Sequence, residues 1–157
     1  MKKYFLMILA SLFITSAAYA DDKQDALNFF NSYVEGANNY SSAIADMYSP
    51  SAKIIRQIVK PDGTTANAIT DTATYIKQMK IGQAGAKLRK YKNTYTNIIA
   101  TPVDGGYKIS SLRQPSGEDY KLKAYMIVKK QPNGKWLITE EMMQTKVQTF
   151  LRYAEKE

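Results

Sequence analysis

The sequence predicts an α+β fold in which helices come first and one long antiparallel sheet follows over residues 87–146. Three observations predict it. Four runs between Lys87 and Lys146 have strand composition, and each is closed by a turn signal. The segments ahead of them carry apolar residues at helical spacing. The composition, 45% hydrophobic and 23% charged, is that of a globular protein rather than a disordered one. At 157 residues the chain fits one domain.

Met1–Ala20 has the parts of a cleavable signal peptide. Lys2 and Lys3 give the positive start, Tyr4–Thr15 is the apolar run, and Ala18-Tyr19-Ala20 is the small-x-small cleavage site. The run is short for a membrane span and meets Asp21-Asp22 directly. Cleavage leaves about 137 residues, 21–157, enough for one core. The chain is expected in the periplasm or outside the cell. It carries a formal charge of +8, and losing two lysines leaves it basic.

Asp22–Ala37 is the first predicted helix. Asp21 or Asp22 caps it, Asp25 sits in its first turn, and Leu27, Phe30 and Val34 form a stripe widened by Ala26, Phe29 and Tyr33. Gly36 is the expected stop. A short helix follows at Ser41–Tyr48, ended by Ser49-Pro50. Ala52–Val59, rich in Ile and Val, reads as a strand closed by Pro61-Asp62-Gly63. Ile69–Gln83 reads as a third helix capped by Thr70, with Ile69, Ala73, Ile76 and Met79 on one side.

The sheet runs are Leu88–Ala100, Tyr107–Arg113, Asp119–Lys130 and Lys135–Met143. In the first, alternation puts Tyr91, Asn93, Tyr95, Asn97 and Ile99 on one face. In the third, Tyr120, Leu122, Ala124, Met126 and Val128 oppose Lys121, Lys123 and Lys129, with Tyr125 and Ile127 among the lysines. In the last, Trp136, Ile138 and Met142 share a face. The tail Gln144–Glu157 fits either an extension of that strand or a short closing helix.

Residue types absent from the chain exclude much chemistry. With no Cys and no His there is no disulfide framework, no Cys or His metal site and no nucleophile–His relay. The acids are not clustered as a carboxylate-only Ca²⁺ or Mg²⁺ site requires. No cofactor is implied.

Met47-Tyr48-Ser49-Pro50-Ser51-Ala52, a strand, Pro61-Asp62-Gly63, an amphipathic helix, three long strands and Gly134-Lys135-Trp136 opening the last one together resemble the nuclear transport factor 2-like (SnoaL-like, cystatin-type) superfamily. The resemblance covers about Asp22–Met143. It implies a strongly curved sheet wrapped over the helices into a cone with a pocket inside. It implies little about activity, because this fold hosts isomerases, hydrolases, dehydratases and many proteins without catalysis.

Two kinds of function follow as expectations. In the adjacent pair Glu140-Glu141, period-2 alternation sends one carboxylate inward, and Glu140 shares parity with Trp136 and Ile138. An inward Glu140 beside tyrosines is a weak candidate base; Arg56 or Arg113 pairing with it is the structural reading. Tyr33, Tyr91, Asn93, Tyr95, Tyr120 and Met126, with Asn97, are the candidate lining of a mixed apolar and polar pocket, or simply core with wet tips. Lys90 and Lys92 at the start of the sheet and Lys121, Lys123 and Lys129 on a later strand form a basic patch if those strands are neighbours. Nucleic acid is a poor partner for an exported chain. The expected partners are an envelope protein, an anionic envelope component, a small apolar ligand or a second copy of the chain. A non-catalytic envelope binding or assembly module is the first reading, and a small-molecule or lipid carrier or pocket enzyme the second. An inward, poorly solvated Glu140 with an empty cavity favours the second; a filled cone with an exposed apolar face favours the first.

Overall fold

The computed structural model describes residues 21–154. The expected signal peptide lies outside the described residues. Helix α1 occupies residues 21–38, so Asp21 and Asp22 are themselves helical rather than caps. Its stripe turns inward as the spacing requires: Ala26, Phe30 and Tyr33 are buried, and Leu27, Phe29 and Val34 are half-buried around them. Gly36 does not end the helix. A Cβ there would lie 2.8 Å from Ile44 Cγ2, so glycine permits the close approach of the next element. The chain reverses at Tyr40, with φ at 59°. A 3₁₀ helix, Ser42–Met47, follows, its first turn capped by Ser41 Oγ accepting from the Ala43 amide.

Six strands form one curved, unclosed sheet in the order β2-β1-β6-β5-β4-β3. They are β1 (Tyr48–Val59), β2 (Thr65–Asp71), β3 (Asn93–Val103), β4 (Gly106–Pro115), β5 (Leu122–Lys130) and β6 (Trp136–Thr145). Neighbours run antiparallel except β1 and β6, which are parallel. The antiparallel sheet expected over residues 87–146 is β3 to β6, and β1, expected as a strand without an assigned partner, joins it in parallel. The connections after β3, β4 and β5 are tight because Gly105, Gly117 and Gly134 hold φ of 73°, 83° and 82°, where a side chain would be strained.

Strand β2 was not expected at all. The expected helix Ile69–Gln83 splits in two: Ile69 and Thr70 finish β2, and helix α2 is Thr72–Leu88. Asp71, not Thr70, caps it, its carboxylate accepting from the Thr74 amide at 2.9 Å and the Thr74 hydroxyl at 2.7 Å. The helix also runs further than expected, so the strand predicted at Leu88 begins only at Asn93. The tail does both things open to it. It extends β6 to Thr145 and then forms a 3₁₀ helix, Gln148–Tyr153, before Ala154 bridges Ala68 of β2.

Of three register shifts among the described residues, one lies in the β1–β6 pairing between Tyr48 and Lys53, and the other two invert side chains on the sheet. In β3 the pairing slips between Thr96 and Ile99, with Asn97 in the left-handed region at φ 53°. The slip reverses the alternation beyond it: Ile98 and Ile99 are exposed, and Ala100 packs toward the core instead. Asn97 and Ile99 therefore do not share the face of Tyr95, against expectation. The second slip lies between Ile127 and Val128 of β5, opposite Thr139 of β6. The core sits between α1 and the concave face, where Ile54, Ile109, Met126, Val128 and Ile138 are almost wholly excluded from water.

Strand packing leaves no room at Gly106. A Cβ built there would meet the Val128 carbonyl oxygen at 1.9 Å, a backbone atom that no side-chain rotation can clear. Gly106→Ala is expected to cost about 1–3 kcal/mol, as overpacked sites do. Chemical denaturation checks this; an unchanged midpoint would contradict the close approach of β4 to β5.

Candidate functional site

The inward carboxylate belongs to Glu141, not Glu140. The extra residue at Thr139 turns the alternation of β6 by one place, so Glu140 faces outward and hydrogen-bonds Tyr125 (Oη to Oε1, 2.5 Å). Glu141 is fully excluded from water. It is also fully occupied. Arg56 Nη1 donates to Oε1 at 2.9 Å, while the hydroxyls of Tyr48 and Tyr33 donate to Oε2 at 2.5 and 3.2 Å. Arg56 in turn lies over the Tyr75 ring, 4.9 Å from its centroid. Withdrawal from water, and then the Glu141 charge, push the Tyr33 and Tyr48 hydroxyls well above their ordinary value, so both stay neutral donors. Burial works against the Arg56 charge, but Tyr75 and Glu141 outweigh it and the guanidinium stays protonated.

Above this cage lies a cavity of about 510 Å³, within the range of small-molecule sites. Helix α1 brings Tyr33 to it, β3 brings Asn93 and Tyr95, and the connection ahead of β3 brings Tyr91; α2 adds Tyr75, Met79, Gly82 and Ala86; the tail adds Val147 and Phe150. A second space of about 540 Å³ lies between α2, β1 and β2. Arg56, Tyr75, Met79 and Phe150 border both, so these side chains are the partition between two chambers.

Of the residues expected to line a pocket, Tyr33, Tyr91, Asn93 and Tyr95 line the first cavity. Met126 does not: it is a core residue bordering only a void of about 10 Å³. Tyr120 stands before β5, with Lys146 Nζ 3.9 Å from its ring centroid, and borders neither chamber. The lysines are also rearranged. Strand β4 separates β3 from β5, and Lys90 and Lys92 precede β3, so they and Lys121, Lys123 and Lys129 are not on adjacent strands. Lys121 Nζ reaches across to Thr96 Oγ1 at 3.4 Å.

Arg113 was expected as a partner for a carboxylate. It is instead buried and held by neutral acceptors: Asn93 Oδ1 at 2.8 Å, Tyr91 Oη at 3.4 Å and the Gln144 carbonyl at 2.6 Å. Sequence reasoning missed Tyr40, Tyr75, Arg89 and Phe150. Tyr75 and Met79 fall one helical turn apart on α2, which is a legible signal once the helix is capped at Asp71.

No family model matches the chain, and no curated protein matches it in sequence. Solved structures do match. One is a nuclear transport factor 2-like protein of unknown function from Pseudomonas putida: TM-score 0.61, 8% identity, 80% of this chain and 87% of that one. A putative ketosteroid isomerase from Shewanella frigidimarina superposes at TM-score 0.56 with 18% identity, over 75% of this chain and 93% of its own. Nuclear transport factor 2 from Cryptosporidium parvum gives 0.56 at 12% identity, over 78% and 93%. The helices, the curved six-stranded sheet and these likenesses establish that the chain has the nuclear transport factor 2-like fold.

Proposed function

We propose that this chain is an exported, non-catalytic binding protein of the cell envelope that holds a small, largely apolar molecule in its cone. One observation carries the reading: the cavity of about 510 Å³ is bordered by aromatic and aliphatic side chains, amides and three arginines, and by no Asp or Glu among the described residues. Acid–base turnover needs a titratable group within hydrogen-bond reach of the substrate. The one buried carboxylate among the described residues, Glu141, spends both oxygens on Arg56, Tyr48 and Tyr33 behind the cavity wall. The tyrosines beside it are held neutral and so are poor bases. What remains is shape, apolar contact and hydrogen bonding, the equipment of a carrier or sensor.

Native mass spectrometry of the protein from the envelope fraction of its host tests this. A small molecule that co-purifies supports the carrier reading. A bare protein, or one carrying only a second chain, overturns it in favour of an assembly role.

Gly82 offers a sharper version of the same test. It borders the cavity from α2, and a Cβ built there meets nothing within 4 Å. Gly82→Trp is expected to fill the chamber and abolish ligand retention. Stability should hold or rise by up to about 1 kcal/mol, because glycine is a poor helix residue. Retained ligand in this variant would place the molecule elsewhere.

A further inference from the structure

The cavity is not electrically neutral. Three arginines, Arg56, Arg89 and Arg113, border it, and no acid among the described residues does. Arg56 is balanced by Glu141. Arg89 stands at the exposed C-terminal cap of α2, at the mouth of the chamber. Arg113 is the unusual member. Only 6% of it is exposed, yet it forms no salt bridge among the described residues. A guanidinium has five N–H donors; Asn93, Tyr91 and Gln144 take up donors on Nη1 and Nη2, and Nε is buried without an acceptor. The Tyr40 hydroxyl, also on the cavity, is likewise buried with no partner.

A buried charge is costly unless something of opposite sign meets it. The fold supplies Arg56 with such a partner and withholds one from Arg113. The apolar remainder of the chamber, Met79, Ala86, Val147 and Phe150, leads toward the second space past the Met79–Phe150 partition. We propose that the ligand is an amphipathic organic anion, its carboxylate facing Arg113 with Arg89 at the entrance, and its apolar body lying along Met79 and Phe150. The inference rests on the small-molecule reading above and goes further by fixing the charge and the head-to-body order. A positive chamber also draws such a ligand in from solvent before contact is made.

The test is calorimetric titration of the purified protein with matched pairs: decanoate against decan-1-ol, and 2-naphthoate against 2-naphthalenemethanol. Each carboxylate is expected to bind at least about tenfold more tightly than its alcohol, the size a charge-assisted hydrogen bond gives. In Arg113→Gln the difference is expected to vanish while alcohol binding stays. Arg113→Lys, which keeps the charge without the fork, is expected to restore part of it. Circular dichroism melts of both variants report folding separately. Were Arg113 only a brace for Asn93 and Gln144, the melting temperature would fall and the preference for carboxylate would remain, which overturns the inference. Equal binding of acid and alcohol by the unaltered protein also overturns it, and leaves the carrier reading in place. Failure of both members of both pairs to bind removes the carrier reading itself.

Discussion

Glu141→Ala is expected to destabilise the protein by about 3–5 kcal/mol, the cost of removing one partner from a buried ion pair. The magnitude comes from what is left behind more than from what is lost. Arg56 would keep its charge against the Tyr75 face with no carboxylate in reach, and the Tyr33 and Tyr48 hydroxyls would lose their acceptor at a site sealed from water. Glu141→Gln keeps the shape but has a single acceptor oxygen for three groups that now donate to the carboxylate, and it leaves Arg56 without a counter-charge, so it is expected to recover only part of the loss. The decisive comparison is a set of combined variants. Arg56→Met with Glu141→Leu removes both charges, and adding Tyr48→Phe removes the stranded hydroxyl donating at 2.5 Å. Stability should climb at each step, because an apolar replacement of a whole buried network is close to neutral where a half-broken one is not. Denaturant midpoints that fell further with each added substitution would show that the cage, and not its completeness, holds the cone together. Such variants also carry a functional reading. If Glu141 is structural, Glu141→Gln binds ligand as the unaltered protein does once folded.

Much of the architecture was legible because local rules and the global fold agree in it. The stripe on α1 and the runs of β4 and β5 alternate cleanly, and the turn glycines at 105, 117 and 134 do what their residue type suggests. The likeness to the nuclear transport factor 2-like fold could be read from the order of elements together with short words such as Pro61-Asp62-Gly63 and Gly134-Lys135-Trp136. What was not legible falls into two kinds. Strand β2, with Thr65-Ala66-Asn67-Ala68, is too small and polar to show a period, and its identity comes from pairing with β1, a tertiary fact. Asp71 and Thr70 are both capping types, and only the structure decides between them.

The second kind is a matter of single inserted residues. One extra place at Thr139 exchanges the roles of Glu140 and Glu141, and another at Asn97 turns Ile99 from the core to solvent. Period-2 reasoning has no defence against a bulge, since a slip of one residue inverts every side chain beyond it. Asn97 did offer a hint, because asparagine is enriched where φ is positive. The adjacent glutamates offered another: with two carboxylates in sequence, one had to face inward. The cage was thus predictable as chemistry and not as an address. The parallel pairing of β1 with β6, which brings Arg56 to Glu141, depends on contacts 85 residues apart and has no local signature.

Raising the pH above 10 is expected to unfold the protein cooperatively. Tyr33, Tyr48, Tyr75 and Tyr95 all have hydroxyls pushed above the ordinary 10.0, in each case first by withdrawal from water and next by the Glu141 charge. In the unfolded chain these groups ionise near pH 10. Below that value both states hold the proton, and the tyrosines contribute no pH dependence. Above it the unfolded chain binds fewer protons than the native one, so stability falls as pH rises. Each such tyrosine removes about 1.4 kcal/mol per pH unit, giving about 2.7 if only Tyr33 and Tyr48 are withheld and about 5.5 if all four are. Against a total of about 5–15 kcal/mol for a typical domain, that slope exhausts stability within roughly one to six units. Tyrosinate absorbance followed beside far-ultraviolet circular dichroism reads the effect: the absorbance of the four enclosed rings should appear together with loss of the sheet signal. Tyr48→Phe should lower the slope by one proton per molecule. Smooth ionisation of every tyrosine with the sheet intact would mean that the cage is open to hydroxide, and with that the case for a sealed Glu141 would fall.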